Sequence, residues 1–165
     1  MAEALIAFGG NLGDVAATFE AALARLEAAG VRIRARSSNW RTPPWGLLDQ
    51  PAFVNACIAV ETDLAAEPLL DLLLATETEL GRVRTVRWGP RTLDLDLLDF
   101  DGATIATDRL TLPHPRIAER AFVLVPLAEI APDRTIGGVR VADLLARVDA
   151  TGIDRLTDQP RSPAR

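Results

Sequence analysis

The sequence predicts an α+β sandwich, an antiparallel sheet with helices on one face and a site on the other face and its loops. Three observations carry that expectation. Val31–Arg36 and Leu93–Leu97 alternate apolar and polar residues with the two-residue period of a half-buried strand. Val15, Phe19, Ala22, Leu23 and Leu26 form one apolar helical stripe, and a second helical segment has Pro68 in its first turn and Gly81 just past its end. In chain order the elements read strand, helix, strand, strand, helix, strand, which is the ferredoxin-like order.

The elements follow in sequence. Ala4–Phe8 is a short apolar run, a buried strand, and Gly9-Gly-Asn-Leu-Gly13 turns it into a helix from about Asp14, closed by Gly30. That turn lacks the GxGxxG spacing of a dinucleotide fold and reads as structural. Val31–Arg41 reads as one strand with Arg32, Arg34 and Arg36 outward. Thr42-Pro-Pro-Trp-Gly-Leu-Leu-Asp-Gln-Pro51 is a loop stiffened by adjacent prolines. Phe53–Thr62 is the next strand, with Phe53, Asn55 and Cys57 on one face. An aromatic ring beside an amide can read a flat heterocycle by stacking and by paired donor and acceptor. Ala66–Leu80 is the second helix. After the last main strand, Asp101-Gly102 marks a turn into a small hairpin at Thr104-Ile105. Leu112-Pro-His-Pro is irregular and carries the only histidine, His114. Ala121–Ile130 reads as a short buried helix interrupted by Pro126, and Val141–Val148 as a terminal helix. Residues 1–156 form a single domain, with 157–165 a frayed tail.

Composition bounds the function. A chain of 165 residues with 48% apolar residues suits one core. The net charge of −5 speaks against a nucleic-acid partner. All 18 basic residues are arginine, which excludes a phosphate loop built on a lysine. No stretch approaches a membrane span, the first residues do not read as a signal peptide, and Cys57 is a lone apolar-strand thiol, so a cytoplasmic protein is expected.

The chemistry concentrates between Gly81 and Asp96. Arg82, Arg84, Arg87 and Arg91 fall in one loop with Trp88 and no acid. In the strand that follows, Leu93, Leu95 and Leu97 enter the core while Asp94 and Asp96 share the opposite face, about 6.5 Å apart at the backbone. Such a pair can clamp two Mg²⁺ ions about 4 Å apart, and forked guanidinium donors beside it suit phosphates. Alternating acids alone are common on one-sided sheets. Joined to the arginine loop, they read as a nucleoside-triphosphate site.

Arg82-Val-Arg84 and Arg87-Trp-Gly-Pro-Arg-Thr-Leu-Asp-Leu-Asp96 resemble the signature of the 6-hydroxymethyl-7,8-dihydropterin pyrophosphokinase family of folate biosynthesis. Gly9-Gly-Asn-Leu-Gly-Asp14, Arg41-Thr-Pro-Pro-Trp-Gly46, Gln50-Pro-Ala-Phe-Val-Asn55, Leu112-Pro-His-Pro-Arg116 and Glu119-Arg-Ala-Phe122 are similar to its other blocks, in its order. The resemblance implies transfer of pyrophosphate from ATP to the hydroxymethyl group of a reduced pterin, releasing AMP. It implies that Asp94 and Asp96 bridge two Mg²⁺ ions, and that Arg82 and Arg91 join them in catalysis. ATP would be held by Glu77, Arg82, Arg84, Trp88, Arg91, Leu97, Arg109, Thr111, His114 and Arg120. The pterin would be held by Thr42, Pro43, Trp45, Phe53, Asn55, Trp88, Asp94 and Phe122, with Phe53 and Phe122 stacking on it. Arg84 and Trp88 would close over the site. A monomer is expected, with no nucleic-acid or membrane partner. This chain departs from the family at Gly10, where Ser is usual, at Phe53, where Tyr is frequent, and in lacking a loop lysine found in some members.

Two other readings compete. A non-catalytic ferredoxin-like ligand-binding module explains the fold but not the acid pair beside four arginines. A two-metal phosphodiesterase explains the acids but calls for further acidic or histidine ligands.

Overall fold

The computed structural model describes residues 1–44, 49–81 and 92–156. At its centre lies β1 (Ala2–Gly10), an apolar strand flanked on both sides by antiparallel partners. On one side runs β4 (Phe53–Thr62), with Ala2 opposite Thr62 and Gly10 opposite Val54. On the other side β5 (Asp94–Phe100) forms the sheet edge among the described residues. The remaining strands join β4: β2 (Arg32–Arg36) along its C-terminal half and β3 (Trp40–Thr42) along its N-terminal half.

The single strand expected over Val31–Arg41 is therefore two. Ser37 and Ser38 interrupt it with bonds that compete with a ladder. The Ser37 hydroxyl accepts from Cys57 N–H at 2.9 Å and donates to the Ser38 carbonyl, while Ser38 donates its N–H and hydroxyl to Glu129.

Two long helices cover one face. Helix α1 (Val15–Ala28) is capped by Asp14, whose carboxylate accepts from Ala17 N–H at 3.1 Å, and α2 (Ala66–Glu79) follows β4. Even-numbered residues of β1 and β4, including Ile6, Phe8 and Ile58, pack against the helix stripes through Phe19, Leu26, Leu69 and Leu73. Leu93, Leu95 and Leu97 enter the same core, as their spacing predicts. Phe8 and Phe19 meet edge to face at 5.3 Å.

The opposite face is not bare. Helix α3 (Ala121–Ile130) and the short α4 (Val141–Leu145) pack on Leu5, Ala7, Cys57 and Leu98 to build a second core. Helix α3 runs through Pro126 without the expected interruption, with Val123, Leu124, Pro126 and Leu127 all buried. Helix α4 ends at Leu145, short of the expected Val148. The site is thus confined to the end of this face that α3 leaves open. A bulge opposite Leu5 and Ile6 turns Asp99 inward, where Arg134 Nη2 reaches it at 3.3 Å.

The Asp101-Gly102 turn forms, with φ of 57° and 70°. The strand after it does not return along β5, however. Instead β6 (Ile105–Ala106) pairs with β7 (Thr111–Leu112). Two small pairings were not anticipated: β8 (Thr135–Ile136) with β9 (Val139–Arg140) across Gly137-Gly138, and β10 (Asp154–Arg155) with β3.

Candidate functional site

The register of the sheet assembles the site in rows. Gly9 of β1 pairs with Asn55 on one side and with Asp94 on the other. Neighbouring strands lie about 4.8 Å apart, so Asn55 and Asp94 stand roughly 10 Å apart across a residue with no side chain. Two residues along, Ala7 lies between Cys57 and Asp96. Both rows project onto the face opposite Leu93, Leu95 and Leu97, because side chains alternate along each strand.

On the β4 side, Asn55 is buried, and its Nδ2 donates to the Thr42 hydroxyl at 2.7 Å. Phe53 and Asn55 share a face as the spacing predicts, and Thr42, which the spacing did not place, joins them by pairing with Phe53 in the β3–β4 ladder. Pro43 follows on the exposed surface. The turn after β1 braces this corner: Asn11 Nδ2 donates to Gln50 Oε1 at 3.0 Å and to the Pro51 carbonyl at 2.9 Å. Phe122, at the start of α3, packs against the second core, and the Arg120 guanidinium lies 5.7 Å from its ring centre. Cys57 lies beneath, fully buried; removal from water, then Asp96 and Glu129, push its thiol far up, so it remains a neutral packed group.

On the β5 side a cleft of about 440 Å³ opens between α2, the outer edge of β5 and the segment that carries β7. The acids Glu77, Asp94 and Asp96 line it, together with Leu97, Arg109, Thr111 and His114. Leu70, Leu74 and Leu110 add an apolar wall that the sequence reading did not include. Arg109 is tied to α2 by Glu67 at 3.2 Å and by Asp71. Glu77 is buried, and its Oε2 accepts from Leu95 N–H at 2.6 Å. No spacing signal announced that bond.

Positive charge faces the acids from the second core. Arg120 is largely buried, reaches Asp96 with Nη1 at 3.8 Å, and its Nε has no hydrogen-bond partner among the described residues. His114 donates its backbone N–H to the Leu98 carbonyl, and its Nδ1 accepts from Arg116 N–H at 3.2 Å. With Nδ1 occupied as an acceptor, the neutral ring carries its proton on Nε2. Burial lowers the imidazole pKa, Asp96 opposes that effect, and Arg120 and Arg116 add to it. The arrangement therefore joins hard carboxylate oxygens, a neutral N–H donor and a partly unsatisfied guanidinium, which suits a polyphosphate.

Trp45, Arg82, Arg84, Trp88 and Arg91 lie outside the described residues. Among the described residues no three histidine, cysteine or acidic side chains converge as a metal cage. A pair of carboxylates matches a hard divalent ion that completes its shell with substrate phosphates and water.

The chain is similar to known proteins along most of its length. Residues 5–132 match the family model described as 7,8-dihydro-6-hydroxymethylpterin-pyrophosphokinase. The chain is 50% identical over 157 residues to the 2-amino-4-hydroxy-6-hydroxymethyldihydropteridine pyrophosphokinase of Methylorubrum extorquens, covering 94% of this chain and 99% of that one. It is 46% identical over 153 residues to the enzyme of the same name from Pseudomonas aeruginosa, covering 92% and 94%. Among solved structures, the HPPK-DHPS wild type of Plasmodium falciparum superposes with a TM-score of 0.70 over 89% of this chain and 43% of that one. At 15% identity that likeness concerns the fold alone.

Proposed function

Because the chain belongs to the 7,8-dihydro-6-hydroxymethylpterin-pyrophosphokinase family, we propose that the open end of its sheet carries out pyrophosphoryl transfer in folate biosynthesis with the residues described above. ATP is the co-substrate and a reduced hydroxymethylpterin the acceptor. The observation that carries the assignment is the row Asp94–Gly9–Asn55. It sets an acid-lined phosphate cleft and a buried amide pocket on one face with a single glycine between them.

In this reading the pterin lies over the β3–β4 corner. Asn55, held by Thr42, reads its edge together with the backbone from Thr42 to Trp45, and Phe53 and Phe122 stack on the ring. ATP lies along the outer edge of β5, with Leu97, Arg109 and Thr111 beside the nucleoside. His114 donates from Nε2 to a phosphate oxygen and Arg120 from its guanidinium, while Arg82, Arg84, Trp88 and Arg91 complete and cover the phosphate side. The hydroxymethyl oxygen attacks the β-phosphorus, the bond to the α-phosphate oxygen breaks, AMP leaves and the hydroxyl proton is released. Arg120 and the loop arginines stabilise the charge that moves to the leaving oxygen. Covering the site excludes water, which matters because hydrolysis of ATP competes.

Asp94 and Asp96 would hold two Mg²⁺ ions, which when bound neutralise phosphate charge and make the hydroxyl more acidic. The chain is taken as a cytoplasmic monomer. Its helices cover both faces of its own sheet, and none of the described helices is long and apolar enough to cross a membrane.

The test is Asp94→Asn and Asp96→Asn. Each should lower kcat by about 100-fold or more, about 3 kcal/mol in the transition state, with the thermal midpoint little changed. Either variant turning over at the parent rate in saturating Mg²⁺ would show that the pair does not hold the ions.

A further inference from the structure

Glu77 belongs to α2, yet its bond goes to the strand that carries the acid pair. In an antiparallel ladder successive residues direct their N–H groups alternately toward the partner strand and away from it. Among the described residues β5 has β1 on one side only, so a Leu95 N–H that reaches Glu77 points to the outer edge. The amides of Asp94 and Asp96 then point inward, toward Gly9 and Ala7. Leu95 is the one residue between the two acids, and its own N–H donates to Glu77 rather than to a strand of the sheet. Its side chain is buried, and an edge amide covered by a helix requires an acceptor. Glu77 supplies a carboxylate, at 2.6 Å and with only 6% of the residue exposed.

We propose that Glu77 is a positioning residue of the transfer reaction: by holding the Leu95 amide it fixes the spacing and aim of Asp94 and Asp96. The inference rests on the reading of those two acids given above. It gives Glu77 work on the backbone of β5 in place of a contact to the nucleotide. A bond to a carboxylate is stronger and shorter than one to a neutral oxygen, which suits a strand whose outer side has no neighbouring strand among the described residues to hold its register. Helix α2 is a firm support, since Leu69 and Leu73 on the same helix are fully buried in the first core.

Two substitutions separate the possibilities. Glu77→Gln keeps an oxygen acceptor at similar reach, while Glu77→Met keeps the volume and removes the acceptor. In Glu77→Gln kcat should stay within about fivefold of the parent, and in Glu77→Met it should fall about 30-fold or more with KM for ATP changed less than about threefold. The direct readout is the Leu95 amide in nitrogen-labelled protein. Its proton resonance should move upfield slightly in Glu77→Gln and further in Glu77→Met, where its hydrogen exchange should quicken by about tenfold or more. If Glu77→Met fails to fold, the Leu95 resonance in Glu77→Gln decides, and no change there overturns the proposal. Equal increases in KM for ATP in both variants, with Leu95 unmoved, would identify a nucleotide contact and also overturn it. Should Asp94→Asn and Asp96→Asn keep the parent rate, the reading of the acid pair fails and this inference with it. Should they lose turnover while Glu77→Met keeps it, only the inference about Glu77 fails.

Discussion

Asn55 stands directly across the ladder from Gly9, so close that a Cβ on residue 9 would lie 2.8 Å from the Asn55 Oδ1. The requirement at Gly9 is space rather than backbone freedom. Its place in a regular ladder suits any residue, but the volume above it belongs to the Asn55 amide. Gly9 is also the residue between Asn55 and Asp94, so displacement of the amide is felt where pterin and phosphate meet.

Gly9→Ala should therefore push Asn55 off the Thr42 hydroxyl while the ladder persists. The expected cost is about 1–2 kcal/mol of pterin affinity, roughly 5- to 30-fold, with ATP affinity nearly unchanged. Calorimetric titration of each ligand checks it. Unaltered pterin binding would mean that Asn55 does not read the ring.

Phe53→Ala and Asn55→Ala make the complementary case. Both side chains come from β4, two strands away from Asp94, so each should weaken pterin binding by about tenfold or more and spare ATP. Titration with a non-hydrolysable ATP analogue measures the second half of that statement. Equal loss for both ligands would reduce the two residues to supports of the core.

His114 is the only histidine in the chain, so its titration can be followed without ambiguity. Burial, Arg120 and Arg116 hold its pKa below the usual value of about 6.5, against the pull of Asp96. Below that value the unfolded chain binds the proton more readily than the folded one. Stability contributed by the neutral ring is thus complete above about pH 6.5 and is lost as pH falls through the lower folded value. Triphosphate bound beside Nε2 favours the imidazolium, so the pKa should rise on adding ATP analogue. Proton resonances of the ring, with and without analogue, test both signs. A free-protein pKa at or above 6.5 would contradict the environment described here.

The extent to which this could be read from sequence differs between elements for physical reasons. Leu93–Leu97 announced its faces because alternation on a strand is a local property, and both cores obey it. Asn55 and Phe53 were placed on one face by the same rule. Glu77 was legible only as a residue near the nucleotide side, since its bond to Leu95 spans 18 positions and depends on β5 being the edge. The break at Ser37–Asn39 was missed because Ser38 and Trp40 are held by Glu129 of α3, far away in the chain. Pro126 failed to interrupt α3 because packing of Val123, Leu124 and Leu127 outweighs one missing backbone bond. Two-residue strands such as β10 carry no periodic signal at all.

The proposed reaction brings an acid-bound triphosphate and a pterin hydroxymethyl group together on one face of this sheet for transfer at the β-phosphorus. The most direct measurement follows the products with ATP labelled separately at the β- and γ-phosphates. AMP should form one for one with consumed pterin, both labels should travel together to the pterin, and omission of the pterin should abolish AMP formation. Formation of ADP, transfer of the γ label alone, or AMP released at the same rate without pterin would rule out pyrophosphoryl transfer to the pterin.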